Sequence, residues 1–452
     1  MDVDLMVRVL ARRAALARHD RWSPAQLATH QAAWLADLRR HAYARSPFYV
    51  RHHAGLQDAP LAALPAVTKA QMMVDFDLLV TDRHLNLEQI EAHLAQLTDL
   101  GGDPGVPFRG RWWTAATAGT TGRRGVFVWD RHEWATVLAS YSRATMWAGV
   151  RVGLGHPVPM AVVSSRVPTH QSAVVGASLR SRTVPTLRLD ARAPLAQTVE
   201  ALNTFAPQVL VGYPSALRPL ADEQLAGRLR IAPQAVMSAS EVLTDHAARD
   251  MARAWGSSPF DVYAATETAG ISSPCHLGTR HIYEDLVLVE PVDATGAAVP
   301  VGTAGARLLV TVLFSRTMPL IRYELSDRVT LSAHSCACGS PFRVLERVEG
   351  REQEVPTVTT ARGAVSLHPN VFHAVLDDLN VAGWQVVQET HDRLRLLLVP
   401  GAAPVDLLAA QRRVAAAVTE AGAGSVSVEV EAVTEIPRTA LGKTLLTRRL
   451  AP

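Results

Sequence analysis

The stretch Thr114-Ala-Ala-Thr-Ala-Gly-Thr-Thr-Gly-Arg-Arg-Gly125 is a loop of small and hydroxylated residues with three glycines, and it runs directly into the apolar, β-prone Val126–Trp129. Such a loop suits phosphate. Glycine lets backbone N–H groups approach an anion closely, threonine hydroxyls add donors, and Arg123 and Arg124 add charge. The Gly-Lys-Ser/Thr ending of a Walker loop is missing, and taken alone the loop could be an ordinary Gly-rich turn.

Working outward, the blocks after residue 105 alternate short β-rich apolar runs with helical stretches. Met160-Val163, Val209-Val211 and Leu308-Leu313 are of the first kind, and Arg131-Met146, Ala193-Phe205 and Thr244-Trp255 are of the second. This alternation predicts an α/β fold of mixed β-sheets flanked by helices. Upstream, Leu5, Val9 and Leu10, then Leu27, Trp34 and Leu38, recur at three-to-four spacing among polar residues, which predicts amphipathic helices over residues 1–45. Turns around Asp293-Gly305 and Ser335-Pro341 precede a change of pattern near residue 350. Beyond it, Trp384-Gln388, Leu394-Val399 and Val426-Val433 read as strands and Pro404-Ala421 as a helix. The expected division is a large multi-layer N-terminal domain, 1–350, and a small α+β C-terminal domain, 351–452.

The 452 residues, 48% hydrophobic and 19% charged, can bury a large core, which excludes a disordered or fibrous chain. A formal net charge of +3 with no basic run gives no case for a nucleic-acid or membrane partner and leaves small molecules. Three cysteines in so long a chain do not make a disulfide framework and fit a reducing cytoplasm. No segment has the length and continuity of a membrane span. Only Lys69 and Lys443 are lysine among 45 basic residues, so each stands out against an arginine background.

Tyr263-Ala-Ala-Thr-Glu-Thr-Ala-Gly270 sets a hydroxyl and a carboxylate after a strand-like Phe260-Tyr263, where a hard cation such as Mg2+ can be held beside phosphates. Leu320-Ile-Arg-Tyr-Glu-Leu-Ser-Asp327 ends in a carboxylate able to accept both hydroxyls of a ribose, or else to make a surface Arg–Asp pair. Ile436-Pro-Arg-Thr-Ala-Leu-Gly-Lys443 presents a compact, mobile ammonium on a Pro- and Gly-bounded loop. Cys275-His276-x4-His281 and Cys336-x-Cys338-Gly339 offer three thiolates and a histidine, a donor set suited to tetrahedral Zn2+. His281 is favoured over His276, because a ligand adjacent to Cys275 strains the chelate. Three inert buried thiols are the alternative.

Taken in order, the phosphate loop, Tyr-x-x-Thr-Glu, Arg-Tyr-x-x-x-Asp, Gly350-Arg351 and Pro-Arg-Thr-x-x-Gly-Lys resemble the adenylate-forming ligase superfamily, and within it the phenylacetate-coenzyme A ligase family. Leu38-Arg-Arg-His-Ala-Tyr-Ala-Arg-Ser-Pro-Phe-Tyr49 and Leu64-Pro-Ala-Val-Thr-Lys69 resemble that family's opening, and Lys69 then reads as architectural. The resemblance implies a mobile C-terminal domain swinging about a hinge near 350–354. It implies that Thr117, Gly119, Thr120, Thr121 and Gly122 hold the β- and γ-phosphates of ATP. Thr266 and Glu267 would serve Mg2+ and the α-phosphate, Asp327 the ribose, and Arg351 would also contact the cofactor. Ser240, Glu241, Tyr263 and Ala264 would line the adenine, and Ala239 and Ala265 the substrate. Lys443 would drive adenylation.

Some positions depart from the family pattern. Arg123 replaces a lysine, the hinge reads Gly350-Arg-Glu-Gln-Glu354, and the substrate loop reads Ser164-Ser-Arg-Val-Pro-Thr-His-Gln171, where Arg166 and His170 make a more polar wall. The leading expectation is ATP-dependent activation of an aromatic or aryl-propenoic carboxylic acid as its acyl-AMP, with coenzyme A or a carrier protein as acceptor. A homodimer is compatible with it. Two alternatives are a diazotase using nitrite and an aromatic amine, and an inactive, zinc-stabilised nucleotide-binding protein.

Overall fold

The computed structural model describes residues 3–99, 101, 103–117, 124–153, 155–179, 181–351, 356–360, 363–367, 369–376, 379, 381–401, 404–439 and 443–449. The fold is mixed α/β. A seven-stranded sheet runs in the spatial order Thr186–Asp190, Met160–Ser164, Val209–Gly212, Ala235–Ala239, Phe260–Ala265, Ala269–Pro274, Arg280–Ile282. The first five strands are parallel and the last two antiparallel.

Parallel strands need cover on both faces, which is why these segments read as nearly continuous apolar runs. Leu210 and Val236 pack with Val199, Leu202, Leu217 and Met251 of the helices Leu195–Phe205, Pro214–Leu225 and Asp245–Trp255. Val209, Ala235 and Met237 point the other way, onto Ala144 and Val150. Gly212 closes its strand where a Cβ would meet Leu217 at 3.0 Å and the Val163 carbonyl at 3.2 Å, so only glycine lets helix 214–225 pack this close.

The helix Arg131–Trp147 starts at an Asp130 cap completed by Glu133. The buried Glu133 carboxylate also accepts from the Thr317 amide at 2.7 Å and from its hydroxyl at 2.5 Å, joining this helix to the 315–318 turn. Burial pushes Glu133 up to about 7.

The amino-terminal expectation resolves into the helices Val3–His19 and Pro24–Arg45. Leu5, Val9, Leu27 and Leu38 are buried, whereas Leu10 is 52% exposed and lies off the packed face. These helices are tied down by a buried ionic cluster. Arg143 makes a two-point pair with Asp285 at 2.7 and 2.8 Å and also meets Asp20, while His19 bonds Asp285 at 2.7 Å. Burial alone would raise the Asp285 carboxyl, but Arg143 and His19 outweigh it and hold it well below the usual range.

Past residue 356, Ser427–Ala432, Arg393–Pro400, Val381–Thr390 and Thr447–Arg449 form a four-stranded sheet beneath the helices Pro369–Leu376 and Leu407–Glu420. Val358, Phe372, Val386, Leu396 and Val414 make a core of their own. Among the described residues, no hydrophobic cluster contains residues from both sides of 350–357. No described helix is long and apolar enough to cross a membrane.

Candidate active site

Four adjacent parallel strands, Met160–Ser164, Val209–Gly212, Ala235–Ala239 and Phe260–Ala265, end side by side. Their carboxyl ends release Ser165–His170, Tyr213–Ser215, Ser240–Glu241 and Thr266–Glu267 respectively. Ligands of open α/β sheets bind in the crevice outside such strand ends. Segments spread over a hundred residues of sequence are thereby set along one rim.

Tyr213 is buried, and its hydroxyl accepts from the Ser165 amide at 3.0 Å, fixing the start of the 165–171 loop. The Lys443 ammonium lies over the Tyr213 ring, 5.6 Å from its centre. Two hydrogen bonds tie Lys443 to Thr439. Its amide donates to the Thr439 hydroxyl at 3.2 Å, and its carbonyl accepts from the Thr439 amide at 2.9 Å.

Glu241 follows Ser240, whose φ of +72° is a left-handed conformation rare for a residue with a Cβ. That turn aims the Glu241 carboxylate at the start of helix 214–225. It accepts from the Ser215 amide and hydroxyl, both at 3.0 Å, and from the Thr444 amide at 2.8 Å. Burial raises the Glu241 carboxyl, against the pull of the Ser215 and Thr444 donors and of Lys443.

Thr266 and Glu267 occupy the turn between Phe260–Ala265 and Ala269–Pro274. Glu267, 8% exposed, accepts from the Tyr323 hydroxyl at 3.3 Å. The Thr266 carbonyl accepts from Gln171 at 2.9 Å, and Gln171 in turn accepts from Tyr141 at 2.7 Å. Ala264 and Ala265 pair with Gly270 and Ala269 across the same turn, and Tyr263 pairs with Ser272. Asp327 is buried and stands in register with Arg351 where Asp327–Leu331 pairs with Leu345–Arg351.

Arg322 is not a partner of that aspartate. Its guanidinium bonds the Ala62 and Leu64 carbonyls and pairs with Glu290 at 3.3 Å, so it fastens the 61–67 segment. The sequence alone allows a surface Arg–Asp pair here, and the buried carbonyl targets explain the difference.

Thr117 accepts from the Gly125 amide at 2.9 Å and donates its own amide to the Gly125 carbonyl, closing the base of the phosphate loop. Gly119, Thr120, Thr121, Gly122 and Arg123 lie outside the described residues, as do 352–355 of the expected hinge. The Lys69 stem packs on this base, since a Cβ on Gly125 would meet its Cδ at 3.1 Å. Lys69 opens the helix Lys69–Val74, capped by Thr68 and Gln71. One of the two lysines thus stands at the base of the loop and the other over Tyr213. Arg166 is exposed and reaches toward the Arg188 carbonyl at 3.5 Å. His170 is buried, and its carbonyl accepts from the Ala173 and Val174 amides of helix 171–179.

Away from the rim, Cys275, His281, Cys336 and Cys338 place their ligand atoms within 4.8 Å of one another. Cys275 and Cys336 sulfurs are 3.9 Å apart, and Cys338 Sγ is 3.2 Å from His281 Nε2. The edge of a tetrahedron with Zn–S bonds of about 2.3 Å is roughly 3.8 Å, so the donor set fits that ion. His281 Nδ1 is bonded to the Phe342 carbonyl at 2.9 Å, which leaves Nε2 facing the thiols. His276 is exposed and outside the cluster.

No protein-family model matches the chain. A 189-residue stretch is 30% identical to a phenylacetate-coenzyme A ligase of Thermus thermophilus, covering 39% of this chain and 41% of that enzyme's length. Among solved structures, a 2-hydroxyisobutyryl-CoA ligase in its postadenylation state, bound to its acyl-AMP, superimposes with a TM-score of 0.75 at 19% identity, covering 96% of this chain and 92% of that one. The fold is that of the adenylate-forming ligases. The same ligase in its thioesterification state, with acyl-AMP and CoA, superimposes with a TM-score of 0.60 at 19% identity, covering 96% of this chain and 91% of that one.

Proposed function

We propose that this chain is an ATP-dependent ligase that converts a carboxylic acid to its acyl adenylate and passes the acyl group to coenzyme A. The observation that carries the reading is the rim itself: four parallel strand ends bring Thr266–Glu267, Ser240–Glu241 and the 165–171 loop to one crevice, and the Lys443 loop is seated against it. The 189-residue likeness to a phenylacetate-coenzyme A ligase supports the same chemistry.

In this reading a carboxylate oxygen attacks the α-phosphorus and pyrophosphate leaves. Charge crowds onto the pentacoordinate centre, where positioned donors act most strongly. Lys443 bridges the substrate carboxylate and the α-phosphate. The 117–122 loop, with Lys69 beside it, binds the outer phosphates, Asp327 and Arg351 serve the ribose, and Ser240, Tyr263 and Ala264 line the adenine. Thr266 and Glu267 would hold Mg2+, which neutralises phosphate charge when bound. Ala239, Ala265, Arg166 and His170 would border the acid, which we take to be an aryl or aryl-propenoic acid carrying a polar substituent that Arg166 can meet. Residues 1–350 and 351–452 act as the fixed and movable domains, and Cys275, His281, Cys336 and Cys338 hold a structural Zn2+.

The test is a panel of aryl, aryl-propenoic and short aliphatic acids, incubated with ATP, Mg2+ and coenzyme A and scored for AMP and acyl-CoA. Turnover of at least one acid with equal AMP and thioester is expected. AMP formation with no acid giving a thioester would remove the acceptor step, and no AMP with any acid would remove the reading.

A further inference from the structure

We infer that Glu241 is a positioning residue that seats the Lys443 loop for adenylation and lets it go afterwards. This rests on the ligase reading above. Its carboxylate takes three donors: two belong to Ser215, on the fixed part of the rim, and one is the Thr444 amide, on the turn that carries Lys443. Holding the amide of the next residue fixes the direction in which the Lys443 side chain leaves the turn.

A second anchor completes the seat, with Arg438 donating to the Ala191 carbonyl at 2.8 Å. The left-handed Ser240 backbone sets Glu241 in place before the turn arrives. Release is inexpensive in this geometry. Oε1 accepts both the Ser215 hydroxyl and the Thr444 amide, so when the turn departs the carboxylate stays bonded to Ser215, and the freed amide returns to water. Both anchors are polar, and among the described residues no hydrophobic cluster joins the two sides. An interface of that kind can re-form, whereas a shared core cannot. The unequal fit to one ligase in two states, 0.75 against 0.60, agrees with a seated turn.

The experiment compares wild type with Glu241→Ala, Glu241→Gln and Arg438→Ala in two separate half-reactions, acid-dependent ATP–pyrophosphate exchange and thioester formation from preformed acyl adenylate and coenzyme A. Hydrogen exchange of the peptide spanning 437–447 is followed in parallel. In Glu241→Ala the exchange activity should fall about tenfold or more relative to thioester formation, the size of one charge-assisted hydrogen bond, through kcat and not the KM for ATP. Amide protection at 443–444 should drop with it. Glu241→Gln, which keeps an acceptor for the Thr444 amide, should recover most of both, and Arg438→Ala should shift the ratio in the same direction. An equal fall in both half-reactions with unchanged hydrogen exchange would overturn the inference. A rise in the KM for ATP with kcat intact would return Glu241 to the adenine wall. If wild type exchanges pyrophosphate with no acid, the ligase reading fails, yet the 443–444 protection still decides whether Glu241 seats the turn.

Discussion

The region up to residue 351 and the region from 357 onward are held by different forces. The first is bound together by an apolar core that runs from the amino-terminal helices through Trp113, Trp134 and Tyr283 to Leu345. The second has its own core and touches the first through polar groups, with Arg218 donating to the Val381 and Ala382 carbonyls, Arg438 to Ala191, and Thr444 to Glu241. Apolar burial is worth about 25 cal/mol per Å² and is lost when packed surfaces part, whereas a polar contact trades protein partners for water at about 1 kcal/mol. Among the described residues, the part that carries Lys443 shares no core with the rest.

The contrast breaks most forcefully at Asp285. Replacing it by Ala leaves the Arg143 guanidinium buried without its main partner, so unfolding stability should fall by about 3–5 kcal/mol, measured by denaturant titration. A loss below about 1 kcal/mol would mean that the ionic cluster does not fasten the amino-terminal helices. The same carboxyl gives a pH signature. Its folded value lies below the unfolded value of about 3.9, so its stabilisation is complete above that pH and is lost as the pH falls below it. Asp285→Asn should therefore flatten the dependence of Tm on pH below about 4.

In the carboxyl-terminal region, Lys443→Ala should cut adenylation by roughly 100-fold or more while leaving the fold intact by circular dichroism. Near-normal AMP formation by the folded variant would take the lysine out of the chemistry. Metal removal probes the amino-terminal region again, since Trp147 stands 6.1 Å from the His281 ring and donates to Asp20 at 3.0 Å. Elemental analysis should find one zinc per chain, and chelation should lower Tm by about 2 °C or more, the effect of ~2 kcal/mol in a chain of this size. The accompanying change in tryptophan emission should vanish in Trp147→Phe. The smallest effect belongs to Arg218→Ala. It removes a contact between the regions and should leave Tm nearly unchanged while slowing adenylation by about threefold to tenfold, within the range of one polar contact.

Three of the five parallel strands, 160–164, 209–212 and 260–265, were legible as short apolar runs, with observed bounds within a few residues of those read from the sequence, whereas the half-buried Thr186–Asp190 and the Ala/Ser-bearing Ala235–Ala239 carry a weaker signal and were not read as strands. The helix 407–420 begins three residues later than its Pro404 reading, at the Asp406 cap. Cys275, Cys336 and Cys338 could be grouped from composition alone, since the chain has no other cysteines, and spacing from Cys275 singled out His281. What sequence reading missed was pairing at a distance. Glu241 with Thr444, Arg322 with the 62–64 carbonyls, Gln171 with Thr266 and Lys69 with Gly125 join segments 56 or more residues apart, and no local periodicity encodes them. A partial signal existed for Lys69, as one of only two lysines, but it does not tell which loop the side chain meets.

The most direct measurement follows oxygen. With both carboxylate oxygens of the acid labelled by 18O, attack on the α-phosphorus sets one of them in the bridge between the acyl carbon and phosphorus, and thiolate attack at the carbonyl carbon then leaves that bridging oxygen on AMP and the other in the thioester. The expected result is AMP bearing one 18O for each thioester formed, with unlabelled pyrophosphate. Label in released phosphate, with ADP as the nucleotide product, would contradict the adenylate route.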